Sequence, residues 1–338
     1  MEKHIHYPVL TLPIEIVVGI FQAFLPDYPN CPPLLGLESP TVLTQICREW
    51  REIALAAPTL WRAILFHLDT SSAEKQLVVA HSWLLRSRPL PLSLSLRRID
   101  RVRSPGIAPA TAIMLPLTIV PHCDRWEYIY MGNGIPDNIS TLDCPILRHL
   151  EMSWTPSAVT ALTLSTPLLS SVALDYGSTR YVDLPYAQLT TLRLTGMTFP
   201  HESAPLLRRT SSLVHCELSA LSYTDIVGYT APVQEVTLPR LESLTLRIRL
   251  LDGHPMEPSL AVPALKRLHI VASIRLSDQD AVSSLGAFLE KAGCARLEEV
   301  CITTASKPLV YRHPDEVALE DAFRTAFPSI PTFIFVLQ

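Results

Sequence analysis

Two adjacent pairs, His122-Cys123 and His215-Cys216, are the residues best equipped for chemistry in this 338-residue chain. An imidazole and a thiol can serve as zinc ligands, or as base and nucleophile in acyl transfer. Zinc needs about four such ligands at defined spacing. Neither pair is accompanied by a C-x-x-C or a spaced His/Cys set, so no metal site is expected. Cys216 occupies a slot that elsewhere holds leucine, which gives it a structural explanation. Phosphate cradles and nucleophile elbows require glycine at fixed offsets. The chain has 30 prolines against 11 glycines and contains no G-x-G-x-x-G, P-loop or G-x-S-x-G. No carboxylate pair stands where one pKa would be raised. The expectation is a protein that is not an enzyme and carries no cofactor; a hydrolase or transferase would rest on scattered His and Cys alone.

Composition narrows the class further. Apolar residues make up 48% and charged residues 18%, the balance of an ordered globular chain. The formal charge of -4 is spread over both signs, which leaves no basic face for nucleic acid. The most basic run, Arg97 to Arg103, reads as a solvated loop. Prolines interrupt even the apolar stretch from Ala112 to Val120, so no membrane span is expected. Glu2, two histidines and Pro8 precede any apolar run, unlike a secretory leader. Seven scattered cysteines fit reduced thiols, and the Asn138-Ile139-Ser140 sequon reads as chance. These features place the chain in the cytoplasm or nucleus.

With chemistry set aside, the elements carry the argument. Pro13 opens a helix, Glu15 meets the positive end of its dipole, and Pro26 ends it. Along it Leu12, Ile16, Ile20 and Phe24 recur every four residues, with Val17 and Phe21 beside them. That apolar stripe is wider than one neighbour in the same chain needs. After a proline-rich loop, 26–39, Ser39-Pro40 reads as the cap and first turn of a second helix. Val42, Ile46 and Trp50 line it, flanked by Leu43, Cys47, Ile53 and Ala54. Pro58 then leads to Thr59-Leu60-Trp61-Arg62-Ala63-Ile64, a short closing helix or turn. Trp50 and Trp61 read as core anchors.

Three pieces in order, Leu12-Pro13-x-Glu15-Ile16-x-x-x-Ile20-Phe21, Ile46-Cys47-Arg48-x-Trp50-Arg51-x-Ile53-Ala54 and Pro58-x-Leu60-Trp61-x-x-Ile64, resemble the F-box motif over roughly residues 8–66. The loop between the first two pieces is longer and richer in proline than is usual in that family. The resemblance implies docking on a Skp-family adaptor and, through it, membership of a cullin–RING ubiquitin ligase of the SCF type. It also implies that Leu12, Pro13, Ile16, Ile20 and Phe21, with Val42, Leu43 and Cys47, meet the adaptor.

Beyond residue 66 the chain alternates helix-like and strand-like pieces. An amphipathic segment from Ser72 through Trp83 and Leu85 precedes Pro91-Leu92-Ser93-Leu94-Ser95-Leu96, whose period of two marks a strand. This transition resembles the segment that follows the F-box in many fungal proteins of this type. A pattern apolar-x-x-apolar-x-apolar then repeats as Trp126/Ile129/Met131, Leu147/Leu150/Met152, Leu169/Val172/Leu174 and Leu189/Leu192/Leu194. It goes on as Leu213/Cys216/Leu218, Leu241/Leu244/Leu246, Leu265/Leu268/Ile270 and Leu297/Val300/Ile302. Most of the intervals match the leucine-rich repeat period of about 20–29 residues. Pro145, Pro167, Pro239 and Pro263 each stand two residues before a repeat leucine, aiming the chain into a strand. Segments 108–120, 280–292 and 314–326 read as helices, and Phe333 to Val336 as a last strand. The asparagine ladder of regular repeats is absent.

The expected fold is therefore α/β: an N-terminal three-helix F-box-like module, residues 1–66, and a curved leucine-rich-repeat-like solenoid, residues 67–338. Strands would line its concave face, and helices or irregular loops its convex side. Two rows would face the concavity. One contains Tyr130, Glu151, Arg193, Glu217 and His269; the other contains Tyr128, His149, His215 and Arg267. Such a face suits recognition of a target protein and suits an unpartnered solvated surface equally. The leading expectation is a substrate-receptor subunit of a ubiquitin ligase. The alternative is a protein-binding solenoid in which the helices are only a cap.

Overall fold

The computed structural model describes residues 11–67, 72–97, 118–131, 140–153, 161–197, 203–220, 235–248, 260–272, 278–304 and 321–337. Residues 108–117 of the helix expected over 108–120, the basic run beyond Arg97 and the start of the 314–326 segment lie outside them; residues 118–119 and 321–326 are helical. The fold is mixed α/β with a large parallel sheet of eleven strands. The chain divides into two compact units, Met1–Leu169 with Arg180–Leu184, and Ser170–Thr179 with Pro185–Gln338.

The first unit starts with α1 (Ile14–Phe24). Pro13 is its N-cap, and the Pro13 carbonyl accepts from the Ile16 and Val17 N–H groups. Leu25, the residue before Pro26, is already extended, as the proline ring requires. Ser39 caps the next turn as expected, its hydroxyl accepting from Thr41 N–H at 3.2 Å. The single second helix expected from Pro40 onward is divided, however. A turn at Pro40–Val42 leads into α2 (Leu43–Ile46), and the chain then extends at Cys47 before α3 (Arg48–Ala56). Cys47 Sγ accepts from Trp50 N–H at 3.4 Å and so caps the restart. The four-residue spacing of Val42, Ile46 and Trp50 runs through this break without registering it.

The closing helix or turn expected here is a short 3₁₀ turn at Pro58–Leu60, and the residues after it, Ala63–His67, form strand β1 rather than continuing it. Trp61 is buried behind it, donating Nε1–H to the Ala54 carbonyl at 2.9 Å and meeting Trp83 edge-on at 5.4 Å. Trp83 belongs to α4 (Ala73–Arg86). This helix connects β1 to its parallel neighbour β2 (Leu92–Arg97), the crossover that parallel pairing demands. A boundary at residue 66 therefore cuts through β1, which belongs to the sheet.

The sheet continues in the first unit with β3 (Trp126–Met131) and β5 (His149–Met152). Between them in sequence comes β4 (Thr141–Asp143), which pairs with β6 (Leu162–Ser165), and β6 pairs in turn with β8 (Val182–Asp183). The second unit carries β7 (Ser171–Asp175), β9 (Thr191–Met197), β10 (His215–Ala220), β12 (Ser243–Ile248), β14 (Arg267–Ala272), β15 (Glu299–Thr304) and β16 (Thr332–Leu337), in that sheet order. It also holds a short parallel pair, β11 (Val236–Thr237) with β13 (Leu260–Ala261). Among the described residues the repeats ending in β5, β7, β9, β12 and β14 are thus a short strand, a turn and a longer strand, whereas helical segments precede β3, β10, β15 and β16; the short ladders have no counterpart in the sequence pattern.

The prolines sit in the turns between these strands. Leu147 N–H bonds Cys144 C=O, Leu169 bonds Thr166, Leu241 bonds Leu238 and Leu265 bonds Val262. In each case proline is the second of the four residues, where its fixed φ suits a tight turn. Ile330 N–H bonds Phe327 C=O around Pro328 in the same way. The expected last strand is therefore a further repeat, with Ile330, Phe333 and Phe335 in the three apolar slots. The repeat residues from Trp126 to Ile302 are buried except Leu297, which is half-buried. The helix Asp278–Ala292 buries Leu285, Phe288 and Ala292 and ends at Gly293, whose φ of +67° suits the left-handed residue after a helix.

Candidate functional site

Two surfaces of different chemistry emerge. The first is the outer side of α1. Val17 and Phe21 turn into the core, where the Phe21 ring meets Trp50 edge-on at 5.0 Å. Beside them Ile16 (52%), Ile20 (42%) and Phe24 (45%) stay exposed, as do Ile14 of the same helix, Leu12 (37%) just before its N-cap and Ile46 of α2. Helical geometry explains the division: positions i, i+4 and i+8 drift only about 40° per step and share one face. Among the residues expected to contact an adaptor, Leu12, Pro13, Ile16 and Ile20 are exposed, and Val42 and Cys47 are half-buried. Phe21 and Leu43 are buried, so the structure corrects their assignment to a contact face. They hold the module together.

The second surface is the polar face of the sheet. In the first unit Tyr128 pairs with His149 and Tyr130 with Glu151. In the second unit Thr191, His215, Ser243, Arg267 and Glu299 form one in-register row, and Arg193, Glu217, Thr245, His269 and Cys301 the other. The two rows expected from the sequence are thus aligned within each unit. Glu151, Arg193, His215 and Arg267 are exposed; Tyr128, Tyr130, His149, Glu217 and His269 are half-buried. Glu217 accepts from Arg193 Nε at 2.8 Å and from Arg247 Nε at 2.7 Å. A His269 ring nitrogen and the Thr303 hydroxyl lie 2.9 Å apart.

Nothing in the sequence announced what covers the start of this face. The proline-rich loop lies on it. Tyr28 O–H donates to Glu127 Oε2 at 2.8 Å, its ring meets Tyr128 edge-on at 5.6 Å, and the Arg62 guanidinium lies 3.7 Å above that ring. Cys31 Sγ lies 3.3 Å from Ser93 Oγ, which donates to the Pro29 carbonyl. Pro32 C=O accepts from Leu65 N–H, and Pro33 bridges to Leu65. The loop thereby occupies the edge of β1 that an open sheet would expose. Burial and the Glu127 hydrogen bond push the Tyr28 hydroxyl well above the usual phenol range.

Cys144 and Cys216 are buried thiols. Burial pushes Cys31 up to about 11, and Cys144 and Cys216 up to about 12, so all three stay protonated at neutral pH. Burial also raises Cys123 and lowers His122. Among the described residues no group of three or more His, Cys, Asp or Glu could hold a metal ion. No described helix is long and apolar enough to cross a membrane. Compared with known proteins, the chain matches no family model and no curated sequence.

Proposed function

We propose that the chain is a substrate receptor of an SCF-type cullin–RING ubiquitin ligase. The exposed apolar face of α1 docks on a Skp-family adaptor, and the polar sheet face holds a target protein. The observation that supports this most is the row Ile16, Ile20 and Phe24, apolar and exposed on a helix whose neighbouring Val17 and Phe21 are already packed, with Leu12 exposed just before it. Exposed apolar surface of this kind marks interaction sites. The F-box-like residues of the same stretch point to the adaptor as its occupant. The receptor contributes no catalytic group in this reading; it raises the effective concentration of target near a charged conjugating enzyme. The repeats form the leucine-rich-repeat-like solenoid that presents the target face.

A second reading draws on the loop. Residues 28–33 and β1 join the helical module to the sheet, as a solenoid cap would. Co-expression with a Skp-family adaptor and affinity capture separates the two. The receptor reading predicts capture by wild type and its loss in the folded double variant Leu12→Ala, Pro13→Ala. Failure of wild type to bind, or full binding by the folded variant, leaves the cap reading alone.

A further inference from the structure

Two thiols of the first unit meet. Cys123 sits in the turn Val120–Arg125 that leads into β3, where Trp126 N–H bonds the Cys123 carbonyl. Cys144 directly follows β4, its N–H donating to the Ser165 carbonyl at 2.9 Å. The two side chains are within hydrogen-bonding reach of each other, and both are free thiols. Cys144 is fully buried, whereas Cys123 is half-buried, so a small oxidant reaches Cys123 first. The other described thiols lack such a neighbour. No thiol is among the groups acting on Cys31, Cys216, Cys294 or Cys301, and Cys47 caps the restart at Trp50. The pair leaves no mark in the sequence, because its members are far apart and belong to no C-x-x-C.

We propose that Cys123 and Cys144 form a disulfide when the chain meets hydrogen peroxide, stapling the turn before β3 to the end of β4. The Cys123 sulfur attacks one peroxide oxygen; the O–O bond breaks, a sulfenic acid forms and one water leaves. The Cys144 sulfur then attacks the sulfenic sulfur. The S–S bond forms, the S–O bond breaks, and the departing hydroxide takes the Cys144 proton as a second water. The two thiols lose two electrons and two protons, and the peroxide gains them. The sulfurs have only to close from contact to about 2.05 Å. Their surroundings favour a lasting bond over a rapidly cycling one. Burial, with Asp124 and Asp143 beside the pair, holds both thiols neutral, so the reduced form gains no stability as thiolate. The same two carboxylates repel an anionic thiol reductant. The inference rests neither on adaptor docking nor on target binding.

Mass spectrometry of the full-length chain, treated with hydrogen peroxide and then unfolded in guanidinium with N-ethylmaleimide, tests it. The untreated chain should take up seven labels, one per cysteine, and the treated chain two fewer. Proteolysis without reductant should yield the Cys123 peptide linked to the Cys144 peptide, and dithiothreitol should separate them. Cys123→Ser and Cys144→Ala should each keep every remaining thiol after peroxide. Cys123→Ser changes the half-buried position and carries the control if Cys144→Ala fails to fold. The linked wild type should melt a few degrees above the reduced chain, because the cross-link restricts the unfolded state, and Cys123→Ser should show no such rise. Full labelling after peroxide, linkage of either residue to a different cysteine, or over-oxidation of Cys123 beside a reduced Cys144 would overturn the proposal. Equal label loss in Cys123→Ser, or a linked chain that melts no higher, would overturn it too.

Discussion

Strands β2 and β12 carry nearly the same pattern, leucines separated by hydroxyl residues, yet they live in different surroundings. In β2 the alternating Ser93 and Ser95 are as buried as Leu92, Leu94 and Leu96. In β12 the corresponding Ser243 and Thr245 are half-exposed around buried Leu244 and Leu246. One difference is the segment 28–33, whose Pro29 and Cys31 meet Ser93 on the polar side of β2. Alternation fixes which residues share a face. Whether that face is wet depends on a segment some 60 residues away.

The largest effect should come from removing what covers β2. Deleting residues 1–66 strips away the loop and nearly all of β1, exposing the β2 edge and its serine face, and an unprotected edge invites aggregation. The remainder should be insoluble or unfolded by circular dichroism; a soluble, cooperatively melting fragment would show that the loop is dispensable. Next come the two sides of α1. Phe21→Ala should cost about 3–5 kcal/mol in urea unfolding, as a buried aromatic truncation does. Ile20→Ala on the exposed side should cost less than about 1 kcal/mol.

The comparison of strands can be broken directly. Ser93→Asp places a carboxylate at a fully buried position and should destabilise by more than about 2 kcal/mol. Ser243→Asp should stay within about 0.5 kcal/mol. Equal effects would mean that the loop does not seal β2. A further effect is expected at alkaline pH. Burial raises Cys144 and Cys216 from 9.0 to about 12, so the fold favours the neutral thiol. Their contribution is complete below pH 9 and is lost as pH rises from there toward 12. Cys216→Val should flatten the fall in melting temperature over that window.

Much of this architecture was legible in the sequence. The slots Leu150/Met152, Val172/Leu174 and Leu244/Leu246 have a clean period of two, and the two polar rows aligned once those slots were found. Prolines 145, 167, 239 and 263 marked strand starts, although their role is the second position of a tight turn. Other features left no periodic trace. The break at Cys47 keeps the four-residue spacing of its neighbours. Strands such as Thr141–Asp143 are too short to show alternation. On α1 periodicity revealed one broad apolar stripe and could not divide it between core and surface. The stripe alone therefore puts Phe21, and Leu43 on the next helix, on the contact face, although both are buried. The cover over β2 is non-local, and no local pattern encodes it.

The central functional claim is that the outer face of α1 is a docking surface. Hydrogen–deuterium exchange of the chain with and without a purified Skp-family adaptor tests it most directly. The account predicts added protection concentrated in peptides spanning Leu12 to Phe24, together with those around Ile46. Unchanged exchange in α1 on adding adaptor at saturating concentration, or protection confined to the sheet strands, would contradict it.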